Sequence, residues 1–149
     1  MKKIRILLVG GGSGGHIYPL IAVAQKLHYF TSSSTRFSLD LRYFGDARDY
    51  KDLLEANKIS CFHIVSSKIR RYFSIQNIFD FFKFFIAFFQ SLWRVFLFMP
   101  DAVFSKGGPG SLPILFACKF FGVPIVVHES DSVPGISNLV GGKIAKKIF

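Results

Sequence analysis

The most constraining stretch of this chain is its start. An apolar run, Ile4–Val9, interrupted only by Arg5, ends abruptly in Gly10-Gly11-Gly12-Ser13-Gly14-Gly15-His16. Such a run closed by glycine is the pattern of a strand buried on both faces, as in parallel sheets. Five glycines in the six positions that follow let backbone N–H groups approach a ligand without Cβ obstruction. A helix beginning there adds its positive N-terminal end, so a phosphate group is the natural guest. The rest of the chain must then supply more strands beside this one and helices to cover both faces.

The pattern of the remaining residues meets that demand. Leu20, Val23, Ala24 and Leu27 have helical spacing within Pro19–Phe30. Strands are predicted at Leu39–Phe44, Cys61–Val65, Ala102–Ser105 and Ile125–His128. Helices are predicted at Asp46–Ala56, Gln76–Phe98, Ser111–Phe121 and Ser137–Lys147, the third closed by Gly122 and Pro124. Strands and helices alternate without hairpin turns or an internal repeat. That order predicts an α/β fold, a doubly wound parallel sheet with right-handed crossovers, as one domain over all 149 residues.

Ligands of such sheets bind at the carboxyl ends of the strands. Three segments leave a strand and carry unusual chemistry, Gly10–His16, Ser105–Ser111 and His128–Asn138, and the fold should bring them together. Gly10, Gly12 and Gly15 satisfy G-x-G-x-x-G, but no Walker lysine follows, which excludes a P-loop NTPase. A dinucleotide-binding domain stays open, with Asp46 as the ribose-binding acid. Asp46 is 31 residues past Gly15, however, against the usual distance of about 20. The second loop, Lys106-Gly107-Gly108-Pro109-Gly110-Ser111, again joins a strand to a helix. Ser111 there either caps the helix or offers its hydroxyl to a phosphate. His16 stands at a helix start, where the dipole lowers its proton affinity. It suits a neutral base, or it simply hydrogen-bonds the loop. No His/Cys cluster has metal-ligand spacing and no Asp-x-Asp motif occurs, so neither metal nor cofactor is expected.

The net charge of +10 calls for an anionic partner. Nucleic-acid binders interleave basic residues with aromatics on strands. Here the phenylalanines crowd onto a predicted helix, which favours lipid and argues against nucleic acid. Within Gln76–Phe98 the longest charge-free run, Phe84–Trp93, has ten residues, whereas a spanning helix needs about 20. The segment is therefore expected to rest on a bilayer rather than cross it. Lys68, Arg70 and Arg71 precede it, and with Phe81, Phe85, Phe88 and Trp93 they form the expected membrane-association surface. Cys61 and Cys118 are expected to be buried free thiols. The opening apolar run is too short for a signal peptide, which implies a cytoplasmic chain.

Read together, GGSGGHIYPLIAVAQKL, SKGGPGSLP, GVPIVVHESDSVPGISN and IAKKIF are similar to the N-terminal half of the MurG family of glycosyltransferase family 28. The resemblance covers essentially the whole chain. It implies the Rossmann-like acceptor domain of a GT-B enzyme, which transfers N-acetylglucosamine from UDP-N-acetylglucosamine to lipid I, forming lipid II with inversion. It also implies peripheral attachment to the cytoplasmic face of the membrane. By resemblance the acceptor diphosphate is held at Gly12, Ser13, Gly14, Gly15, Gly107, Gly108, Ser111, His128 and Asn138. His16 is the implied general base, with Glu129 second. Ser13 stands where the family often has threonine, and Asp131 adds a negative charge to the third loop. The donor domain, with the uridine nucleotide site, is expected to lie outside these residues and to be needed for activity. Three other readings remain: the membrane-bound half of a two-chain transferase, a lipid-diphosphate binding module without catalysis, and the dinucleotide-binding domain.

Overall fold

The computed structural model describes residues 2–32, 36–66 and 76–149. Strand β1 (Lys2–Gly10) leads into helix α1 (Gly14–Ser32), β2 (Phe37–Gly45), α2 (Lys51–Ala56) and β3 (Ile59–His63). Helix α3 (Gln76–Phe98) then carries the chain back to β4 (Ala102–Gly107), followed by α4 (Ser111–Phe120), β5 (Ile125–Val127), α5 (Ile136–Ile144) and β6 (Lys147–Ile148). All six strands are parallel, in the order β3-β2-β1-β4-β5-β6. This is the doubly wound order, and its direction reverses between β1 and β4. The expected fold class is the observed one.

Alternate residues of β1 feed opposite layers because side chains of a strand alternate across the sheet. Leu8 packs with Ile17, Leu20, Leu41, Tyr43 and Leu54 under α1 and α2. Leu7 and Val9 pack with Phe44, Val95, Phe98, Ile114 and Leu115 under α3 and α4. Burial of both faces explains why Ile6–Val9 reads as an unbroken apolar run. Helix α5 joins the second layer through Gly141, whose Cα lies against Leu115 and Val127.

Several boundaries differ from expectation. Helix α1 begins at Gly14, five residues before Pro19, because the carbonyl of Ser13 accepts bonds from both His16 N and Ile17 N, each at 3.0 Å. The glycine run thus supplies a loop and the first turn of the helix. The helix expected from Asp46 starts later, as a single 3-10 turn at Arg48–Tyr50 followed by α2. Arg48, where that turn begins, has a φ of 44°, which a continuous α-helix running from Asp46 does not accommodate. Strand β3 lies two residues earlier than predicted. The last helix ends at Ile144, and Lys147–Ile148 pairs with β5 as a sixth strand. Two residues are too few to show an alternating pattern in sequence. Cys118 is buried as expected, while Cys61 is only half-buried on β3.

Candidate functional site

The carboxyl ends of β1 and β4 are joined by a shift in pairing register, Val9 facing Ser105 and Gly10 facing Gly107. The shift brings the two glycine loops into contact, with Gly11 N donating to Gly107 O at 2.9 Å. From β2, the buried Tyr43 hydroxyl donates to Gly10 O at 2.8 Å. Gly107 and Gly108 have φ of 80° and 92°, the left-handed region that other residues rarely adopt. Space is equally restrictive. A Cβ on Gly108 would lie 2.8 Å from His16 Nε2 and 2.9 Å from Gly11 N, and one on Gly107 would collide with the Asn138 amide. Among the described residues, the amides of Gly12, Ser13, Gly14 and Gly15 donate to no group, leaving four N–H dipoles at the start of α1.

His16, on the first turn of α1, sits between these loops. Its Nδ1 is 2.7 Å from Ser13 Oγ, and its Nε2 faces the gap that Gly108 leaves open. Burial lowers its pKa from the ordinary 6.5, and Lys106 lowers it further, against opposing contributions from Asp131 and Glu129. Three chain segments therefore converge on one imidazole. Lys106 is itself buried, 4% exposed, and its Nζ donates to Ser130 Oγ at 2.9 Å.

Glu129 is tied down. Its Oε1 accepts from Ser130 N and Asp131 N at 2.9 and 3.0 Å, and its Oε2 accepts from Asn138 Nδ2 at 2.8 Å. Burial pushes its pKa up, but these three donors, with Lys106 nearby, outweigh that and hold it below the ordinary carboxylate value. Asn138 thereby links the third loop to α5, and its Nδ2 also lies 3.4 Å from Lys106 O. His128 N donates to Ser105 O at 2.9 Å. The ring of His128 lies beside Phe104, and its buried Nδ1 has no partner among the described residues.

The structure corrects the helix-cap reading of Ser111. The N-cap of α4 is Gly110, in the left-handed conformation. The hydroxyl of the buried Ser111 donates back to Gly108 O at 2.9 Å and braces the loop. Lys106, in sequence only the first residue of the second loop, is the site residue to which sequence reasoning gave no role. Its one signal is a lysine directly before the glycines, at the end of the strand AVFSKG.

The second surface of interest is α3. Ala87, Ser91, Val95 and Phe98 are buried against the body of the domain. Phe81, Phe82, Phe85, Phe89, Trp93 and Phe96 are all exposed on the opposite side, Phe89 at 65% and Trp93 at 62%. Phe88 does not belong with them. It packs against the core, because its place on the helix borders the buried stripe. Lys68, Arg70 and Arg71 lie outside the described residues. By length and composition Phe79–Phe98, with a mean hydropathy of 1.5, meets the requirement for a membrane span, contrary to the expectation from its short charge-free run. What ties it to the domain is packing. One face completes the core, and Gln90 Oε1 accepts from Val65 N at 3.1 Å.

The domain is a doubly wound one whose glycine loops meet at the switch point, where sheets of this kind bind their ligands. The chain belongs to glycosyltransferase family 28, whose N-terminal domain matches residues 6–149. A UDP-N-acetylglucosamine–N-acetylmuramyl-(pentapeptide) pyrophosphoryl-undecaprenol N-acetylglucosamine transferase of Clostridium kluyveri is 37% identical over 150 aligned residues, covering 99% of this chain and 40% of the relative. A Bacillus cereus relative of the same name, numbered 2, is 35% identical over 100% of this chain and 40% of its own length. The chain thus spans about 40% of the length of these curated relatives. Among solved structures, Acinetobacter baumannii MurG superposes with a TM-score of 0.76 at 23% identity, over 97% of this chain and 40% of that one. A UDP-GlcNAc 2-epimerase from Neisseria meningitidis gives 0.64 at 13%, over 96% and 39%. At those identities the structures share the fold alone. Family membership displaces the dinucleotide-binding alternative. In this chain Asp46, the acid that reading needed, accepts a 2.8 Å bond from Arg48 Nε.

Proposed function

We propose that this domain is the acceptor-binding half of an inverting glycosyltransferase that moves N-acetylglucosamine from UDP-N-acetylglucosamine to lipid I, forming lipid II at the cytoplasmic face of the membrane. The observation that carries the reading is the junction of the two glycine loops around His16. The unpaired amides of Gly12, Ser13, Gly14 and Gly15 hold the acceptor's diphosphate. A second domain, beyond these residues or on another chain, holds the uridine nucleotide. The names of the relatives, which specify that donor and that acceptor, support the assignment.

Between the two candidate bases, the geometry favours His16. A carboxylate that already accepts three hydrogen bonds, as Glu129 does, is a weak base. With Nδ1 protonated and donating to Ser13 Oγ, His16 carries its free lone pair on Nε2, where Gly108 leaves it uncovered. Its lowered pKa keeps it neutral near pH 7. In the reaction the C4 hydroxyl of the muramyl sugar attacks the anomeric carbon, Nε2 takes the hydroxyl proton, and UDP leaves with the bonding pair. A single displacement inverts the configuration and needs no nucleophile from the protein. Glu129 keeps the third loop in place.

The test is transfer of labelled N-acetylglucosamine to a lipid I analogue, with and without a supplied donor domain. Transfer is expected only with the donor domain, and none in either arm, despite demonstrated assembly, removes the claim. His16→Ala is expected to lower kcat by about 10²–10⁴-fold while acceptor binding changes little. An equal loss in both would make His16 a binding residue instead.

A further inference from the structure

Among the described residues, Lys106 is the buried charged side chain. It ends β4, between the two glycine loops and the third loop. Its ammonium has three N–H donors, and Ser130 Oγ is its side-chain acceptor. No carboxylate of the described residues lies within ion-pair distance of it. The nearby Glu129 carboxylate is already committed to Ser130 N, Asp131 N and Asn138. Burying an ammonium without a counter-ion is costly. The adjoining amides that donate to nothing supply only partial positive charge. Glu129 and Asp131 lie near enough to act on His16, yet among the described residues no anion pairs with the ammonium itself.

We propose that Lys106 is a ligand-binding residue whose ammonium pairs with a phosphate of the bound diphosphate ester, completing a cradle that the glycine amides only begin. The inference rests on the reading of this site as a diphosphate site and extends it to the lysine that opens the second glycine loop. Ser130 orients the ammonium toward the loops until the ligand arrives. Pairing also has a consequence for His16. Its neighbours in charge are Lys106 on β4 and Glu129 and Asp131 on the third loop. A phosphate beside Lys106 offsets the one cation that depresses the proton affinity of the imidazole. Binding of the acceptor then strengthens the base that serves it.

The experiment is equilibrium binding of a soluble short-chain prenyl-diphosphoryl-muramyl peptide to the full chain, with UDP as the second ligand, for wild type and Lys106→Met. Lys106→Met is expected to weaken the prenyl diphosphate by about tenfold or more. In urea it should unfold no more easily than wild type, because it removes an unpaired buried charge. UDP binding with the same dependence would assign the cradle to any diphosphate ester, and preference for the prenyl ligand would assign it to the acceptor. Unchanged prenyl-diphosphate affinity in Lys106→Met overturns the proposal. So does loss of binding together with a marked loss of stability, which makes the lysine structural. Failure of wild type to bind either ligand sinks the diphosphate reading beneath it. Should the variant not fold, pyrophosphate titrated into wild type is expected to move the Lys106 Cε resonance and raise the His16 pKa. No shift in either rejects the role.

Discussion

The carboxyl ends of β1 and β4 and the outer face of α3 are opposite solutions to making a surface that needs something from outside. At the strand ends side chains are deleted. Gly107 and Gly108 take conformations other residues avoid, and the site presents bare amides and one imidazole. On α3 the largest side chains are added, and Phe82, Phe89 and Trp93 stand more than half exposed. The first surface is polar and rigid through hydrogen bonds between loops. The second is apolar and fixed only from behind, through Ala87, Ser91, Val95 and Phe98. The contrast teaches that exposure alone does not identify a site: one surface suits a phosphate and the other suits an apolar phase.

The contrast on α3 breaks most readily at its inner face. Phe98→Ala should cost about 3–5 kcal/mol by urea unfolding, since Phe98 is buried among Phe44, Val95 and Ile114. Gly107→Ala comes next, at about 1–3 kcal/mol for the left-handed backbone. It also displaces Asn138, so acceptor binding should fall with stability. On the outer face the outcome reverses. Phe89→Ser with Trp93→Ser should leave unfolding within about 0.5 kcal/mol per site. Sedimentation with anionic vesicles at low salt, expected for wild type, should be lost. Vesicle binding by the double variant equal to wild type would remove α3 from any membrane surface.

The pH dependence separates the two surfaces further. His16 has a folded pKa below 6.5, so above 6.5 it is neutral in folded and unfolded chains and contributes no pH dependence. As pH falls from 6.5 through the folded value, the unfolded chain binds the proton first, and stability declines across that window. His16→Ala should flatten this part of the stability profile, and transfer by the wild type should keep its acid limb below 6.5. The smallest effect is at Gly15, which lies on the first turn of α1 with open space where a Cβ would stand. Gly15→Ala should stabilise by about 0.4–1 kcal/mol and leave vesicle binding untouched.

Much of the fold was legible because its signals are local. An apolar run that stops at glycine, helical spacing after it, and Gly122 with Pro124 after α4 need no distant residue to interpret them. Part of the candidate site was legible for the same reason, since backbone freedom at Gly107 and Gly108 is written in residue type. Other features were not. Arg48 delays α2 through its own backbone conformation. Strand β6 exists because Lys146 N and Phe149 N find the carbonyls of Ile125 and Val127. Glu129 reads as a possible base until three donors are seen to occupy it. Ser111 reads as a helix cap until Gly110 is found in that place.

The sequence by itself determined that strands and helices alternate along the chain, two of the strands ending in glycine loops, and hence a parallel sheet with its loops at one end. Propensity and periodicity act over a few neighbouring residues, and each element carries its own. Only the tertiary structure decided what each apolar helix faces. Helices α3 and α4 are both rich in apolar residues. Yet Leu112, Pro113, Ile114 and Leu115 of α4 are buried, while among the described residues one side of α3 has no element over it. Burial depends on what lies across from a side chain. The same is true of Lys106, whose charge becomes meaningful only where three separate loops close around it.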